Sequence, residues 1–106
     1  FSNKKSKKLE RGIGFPTCLS VNECMGHNSP LVGDDSMKLA NEMLVKIELG
    51  AHIDGYAAQA AHTVVVGGKS KGNQADVTLA CYNAMLAATR TIKVGSTNQD
   101  VTAVIA

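Results

Sequence analysis

The sequence predicts an α+β domain in which an antiparallel sheet carries helices packed on one face. Three observations carry that expectation. Extended apolar segments lie within the first two thirds of the chain, and two of them flank Asp54-Gly55. Asp-Gly between apolar runs is a strong hairpin signal, because both central residues of the favoured turn need positive φ. Residues 74–93 then carry apolar side chains at helical spacing, and a second helix starts near Thr97. An order of strands, hairpin and then helices gives helices segregated from an antiparallel sheet.

Residues 1–11 form a basic lead-in, and residues 12–106 the domain part. In the segment 12–32, Ile13, Phe15 and Leu19-Ser20-Val21 suggest short extended pieces. Pro16 interrupts them, so the first is an edge strand or ends at Phe15. Gly33-Asp34-Asp35-Ser36 reads as a surface loop, and Met37 to Asn41 as one weak helical turn. In residues 43–50, Val45, Ile47 and Leu49 point one way and Lys46, Glu48 and Gly50 the other. Residues 56–66 are the return strand, ending in the β-branched Val64-Val65-Val66.

The segment 67–72, Gly-Gly-Lys-Ser-Lys-Gly, is a turn with a basic tip, but it lacks the phosphate-loop pattern Gly-x4-Gly-Lys-Ser/Thr. The helix at 74–93 has Asn73 as its expected N-cap and Asp76 in its first turn. Val77, Cys81, Ala84, Met85, Ala88 and Ile92 make its stripe, with Cys81 and Met85 read as core. Gly95 ends it. Thr97 and Asp100 then resemble a capping box, in which Glu or Gln is usual at the later position.

At 106 residues the chain is one domain at most, and an apolar content of 44% is that of a globular protein. With 4% aromatic residues, its core must be aliphatic. The start is polar with no long apolar segment behind it, so no signal peptide is read there. No apolar run approaches a membrane span. The first residue is not Met, and the last ten read as a helix stopped in progress, so a fragment of a longer chain is expected.

A net charge of +2 is too small to imply nucleic acid by itself. Lys4, Lys5, Lys7, Lys8 and Arg11 cluster, however, with only Glu10 among them. They read either as a solvated end or as a phosphate-contacting patch. No aromatic residue is interleaved, so base stacking is not supported. Cys18, Cys24 and Cys81 are an odd count, simplest as reduced thiols. Cys18, Cys24 and His27 could suggest zinc, but the spacing fits no usual pattern and a fourth ligand is missing.

The two-residue turn sets a register in which Gly50 faces Gln59 and Glu48 faces Ala61. Glu48 and Gln59 are then diagonal neighbours on one sheet face, roughly 7–8 Å apart at Cα. Two carboxylates so placed could hold a pair of metal ions, which sit about 3.5–4 Å apart. Here one of the two is an amide. The plain alternative for Glu48 is a surface glutamate.

Several stretches resemble a known family. Gly12-Ile13-Gly14-Phe15-Pro16-Thr17, Ser20-Val21-Asn22-Glu23-Cys24 and His27 resemble the opening segment of type 2 methionine aminopeptidases. Lys46 to Gly55 resembles their first metal-binding strand pair. His52-Ile53-Asp54-Gly55-Tyr56, Ala61-His62-Thr63 and Lys71 to Val77 are closer to their relatives, the proliferation-associated protein 2G4 family.

The resemblance spans nearly all of residues 9–106 and implies half of the pita-bread (creatinase/aminopeptidase) fold. It places His27 at the pocket histidine of the active enzymes, and Glu48 and Gln59 at their first two metal-binding aspartates. Glu48 is one methylene longer than aspartate, and the amide nitrogen of Gln59 cannot face a cation. The implied protein is therefore non-catalytic, with no metal and no cofactor. It would bind RNA or ribosomal particles and proteins in ribosome biogenesis, translation or growth control, in cytoplasm and nucleus or nucleolus. No membrane and no small-molecule substrate are expected. The alternative is an active dinuclear metalloaminopeptidase removing the initiator methionine.

Overall fold

A computed structural model describes residues 9–35 and 37–106. They fall into two compact units, divided after Gly68. The first holds three strands, β1 (Arg11–Val21), β2 (Leu44–Ile53) and β3 (Tyr56–Val65), in an antiparallel sheet of order β1-β2-β3. The second holds α1 (Asn73–Thr91) and α2 (Asn98–Ile105).

The hairpin forms as the turn chemistry requires. Asp54 and Gly55 sit at φ 54° and 86°, the left-handed region that glycine enters freely and aspartate tolerates. The β2–β3 register pairs Gly50 with Gln59 and Glu48 with Ala61, as the two-residue turn predicts. Val45 and Val21 are cross-strand partners and both are buried, which fixes the apolar centre of the sheet.

β1 departs from the expected pair of short pieces. It is one continuous edge strand, whose pairing to β2 shifts between Ile13 and Phe15 and again between Phe15 and Cys18. Pro16 lies inside the second irregularity. An edge bulge leaves its missing N–H without a ladder bond to lose, so the strand passes through it. The helical turn expected over Met37 to Asn41 is not present: residues 37–40 have no regular structure, and Asn41-Glu42 form a turn. The backbone there serves the sheet instead, with Glu42 N–H donating to Val66 O and Val66 N–H to Met43 O, each at 2.9 Å.

In the second unit, α1 begins one residue before the expectation. Its N-cap is Gly72, with no side-chain cap, rather than Asn73. Ala84 and Ala88 of the apolar stripe are half-buried, whereas Val77, Cys81, Met85 and Ile92 are exposed. The eight residues of α2 are too few to cover nineteen residues of α1. After α1 the Ser96 hydroxyl donates to Thr91 O at 2.7 Å, and Gly95 turns at φ 91°. α2 opens with the expected capping box: Asp100 N–H donates to Thr97 Oγ1 at 3.2 Å, and Thr97 N–H to Asp100 Oδ2 at 2.8 Å.

Candidate functional site

Alternation along β2 puts Lys46, Glu48 and Gly50 on one sheet face. On β3 their partners are Thr63, Ala61 and Gln59. Glu48 and Gln59 therefore do lie diagonally on one face, as the hairpin register requires. A Cβ at Gly50 would stand 3.1 Å from Gln59 Cγ and 2.8 Å from Phe15 Cβ. The bare glycine is what lets both side chains close over β2.

β1 completes this face through its irregular pairing. Phe15 pairs with Gly50, and Cys18 with Glu48. Three positions apart on a regular strand, Phe15 and Cys18 would point to opposite faces. The bulge between them resets the alternation, and both arrive on the Glu48 face.

His27 comes from the loop after β1. Asn22, at φ 48°, starts that loop by donating its N–H to Leu44 O at 2.8 Å and accepting from Leu44 N–H on Oδ1 at 3.0 Å. The Lys46 ammonium donates to Asn22 O at 2.6 Å. The loop then folds back on β1. Leu19 N–H donates to Asn28 O at 2.9 Å, the Asn28 amide donates to Leu19 O at 2.8 Å, and the Ser29 hydroxyl to Thr17 O at 2.9 Å. The fully buried Ser20 accepts from Asn28 N–H on its hydroxyl.

His27 is thereby held at φ 61°, an uncommon conformation for a side-chain-bearing residue. Its N–H donates to Glu48 Oε2 at 3.2 Å, and its ring Nδ1 lies 3.8 Å from the same oxygen. Its ring tilts against Phe15, with centroids 5.8 Å apart.

The sequence-predicted positions His27, Glu48 and Gln59 thus share one face, with His27 and Glu48 in direct contact. Cys18 is the member that sequence spacing did not place there. It is buried, and burial pushes its thiol up from the ordinary value, with the Glu48 carboxylate acting in the same direction. Its presence is encoded in the Pro16 interruption, which signals an irregular strand but not where that irregularity aims the next side chain. Cys24 takes no part: it is exposed, with its thiol 4.0 Å from Gly26 O.

The face does not fit a dinuclear metal pair. Such a pair needs bridging carboxylates to offset two divalent charges. Gln59 supplies a neutral amide on an exposed position, which leaves Glu48 as the one carboxylate of that pair. Of the proposed basic patch, Arg11 is exposed at the start of β1, paired with Ile53. Lys4, Lys5, Lys7 and Lys8 lie outside the described residues.

Comparison with known proteins gives the family. Residues 2–106 match the model of metallopeptidase family M24. The chain is 50% identical over 105 residues to Proliferation-associated protein A of Dictyostelium discoideum, covering 95% of this chain and 27% of that protein. It is 46% identical over 106 residues to ERBB-3 binding protein 1 of Arabidopsis thaliana, covering 99% and 26%. The chain therefore spans about a quarter of the length of these relatives. Among solved structures, a thermophilic Arx1 superposes with a TM-score of 0.73 at 26% identity, over 98% of this chain and 32% of that one. With its three-stranded antiparallel sheet followed by two helices, the chain is an α+β piece of the pita-bread fold. It belongs to metallopeptidase family M24, on the branch of the proliferation-associated 2G4 proteins.

Proposed function

We propose that this protein is a non-catalytic, aminopeptidase-like binding protein. Its partners are RNA or ribonucleoprotein particles and proteins, in ribosome biogenesis, translation or growth control, and it works in the cytoplasm and the nucleus or nucleolus. The observation that carries this reading is Gln59, an amide where the face would need a second carboxylate beside Glu48. The names of the relatives support it. One is called proliferation-associated, another is named for binding ERBB-3, and the structural neighbour is an Arx1. The basic patch of Lys4, Lys5, Lys7, Lys8 and Arg11 supplies the phosphate contacts. No helix among the described residues is long and apolar enough to cross a membrane.

The test uses the full-length protein. Methionyl peptides are expected to remain uncleaved with added divalent metal. Binding to ribosomal RNA should fall steeply with salt, and the slope should flatten when Lys4, Lys5, Lys7 and Lys8 become Ala. Tightly bound paired metal ions together with cleavage would establish the aminopeptidase instead. Affinity indifferent to salt and to the lysines would remove RNA from the partners.

A further inference from the structure

Cys18, His27 and Glu48 each present a donor atom, and these three atoms lie within 4.8 Å of one another. Tetrahedral zinc with bonds of about 2.0–2.3 Å spaces its ligand atoms roughly 3.3–3.8 Å apart. The His27 and Glu48 atoms stand 3.8 Å apart, already at that spacing, and the widest separation needs a contraction of at most about 1–1.5 Å.

We propose that the Cys18 thiolate, a His27 ring nitrogen and the Glu48 carboxylate bind a single zinc-class divalent cation, with the fourth position left to water. This site is distinct from a dinuclear pair. It does not use Gln59, and it draws on a sulfur and a nitrogen as well as a carboxylate.

Three features of the chain favour it. The ligands stand on preformed backbone: Cys18 and Glu48 are cross-strand partners, and His27 is set by the neighbouring Asn28 and Ser29 bonds to β1. Little ordering cost then falls on binding. The donor set is also selective, because thiolate and imidazole favour zinc over magnesium, calcium and manganese. Finally, the face places the Glu48 carboxylate beside the Cys18 thiol, and a cation between them offsets the repulsion that the thiolate would otherwise meet from that carboxylate. On binding, the thiol proton leaves to solvent as the sulfur–metal bond forms. The ion ties the loop over residues 22–29 to β1 and β2, a structural clamp that calls for no peptidase chemistry. The proposal stands apart from RNA binding, so either can fail alone.

The test takes the full-length protein, stripped with chelator and titrated with Zn2+ and, separately, with Co2+. One Zn2+ per chain is expected at this site, and Co2+ should give a near-ultraviolet thiolate-to-cobalt charge-transfer band. That band should persist in Cys24→Ser and Gln59→Ala and be lost in Cys18→Ser. His27→Ala and Glu48→Gln should bind at least about tenfold more weakly. Cys18 is buried and its variant can fail to fold, whereas His27 is exposed, so His27→Ala with intact circular dichroism decides the matter. A folded wild type without the band, a band that survives Cys18→Ser, or unchanged affinity in His27→Ala would overturn the site.

Discussion

His27 and Glu48, twenty-one positions apart in the chain, meet at a single oxygen: Glu48 Oε2 accepts the His27 backbone N–H at 3.2 Å and stands 3.8 Å from its imidazole. The bond ties the loop after β1 to the central strand, and it places an imidazole over the face that carries Gln59. Glu48→Ala removes the acceptor. The expected result is faster amide exchange through residues 23–28 and a loss of about 1 kcal/mol in urea unfolding. Exchange at His27 that is unchanged would mean the loop is held by Asn28 and Ser29 alone.

Gly50 is the close-approach point beneath that face. In Gly50→Ala the new methyl would stand 2.8 Å from Phe15 Cβ and 3.0 Å from Phe15 N. The latter is backbone, so a side-chain rotation does not relieve the clash. Destabilisation of about 1–3 kcal/mol is expected, measured as a shift of the denaturant midpoint at constant slope.

Thiol chemistry should separate the three cysteines. Cys18 is buried and its thiol is held up by that burial and by Glu48, while Cys24 and Cys81 are exposed. In metal-free protein at neutral pH, iodoacetamide should label Cys24 and Cys81 well before Cys18. A group raised in the folded state favours folding below its unfolded pKa, and that contribution is lost as pH rises through the folded value. Cys18 therefore predicts a fall in stability on the alkaline side, removed in Cys18→Ala.

α2 should respond to acid in the opposite direction. The Thr97 backbone N–H, and then the Thr97 hydroxyl, hold the Asp100 carboxyl below its ordinary value. A depressed carboxylate stabilises the fold above its unfolded pKa, and the contribution disappears as pH falls through the folded value. Helicity of α2, followed by NMR shifts, should drop in that acidic window and be pH-independent there in Asp100→Asn. Thr97→Ala should cost about 1 kcal/mol of helix stability at neutral pH.

Gln59→Asp is expected to add a charge to the face without giving peptidase activity. Glu48 remains one methylene longer than aspartate and stays engaged with His27. Methionyl-peptide hydrolysis by the full-length Gln59→Asp protein should stay at background. Turnover in that single variant would contradict this expectation.

Much of this was legible in the sequence because it depends on short-range rules. Asp54-Gly55 determined the turn, the turn determined the Gly50–Gln59 register, and the register put Glu48 and Gln59 on one face. Thr97 and Asp100 determined the start of α2 in the same local way. The start of α1 was less legible, since Gly72 offers no side chain to mark it.

The tertiary structure alone decided that Phe15 and Cys18 join that face, and it set the contact by which His27, expected there from the family resemblance, meets Glu48. Alternation assigns a side chain to a face only while pairing stays in step, and β1 slips out of step on both sides of Phe15. Those slips, together with a loop folded back by backbone bonds that leave no pattern in the sequence, bring Phe15, Cys18 and His27 to Glu48. The hairpin could be read from its own residues. Phe15 and Cys18 could not, because their positions are set by irregular pairing between segments about thirty residues apart.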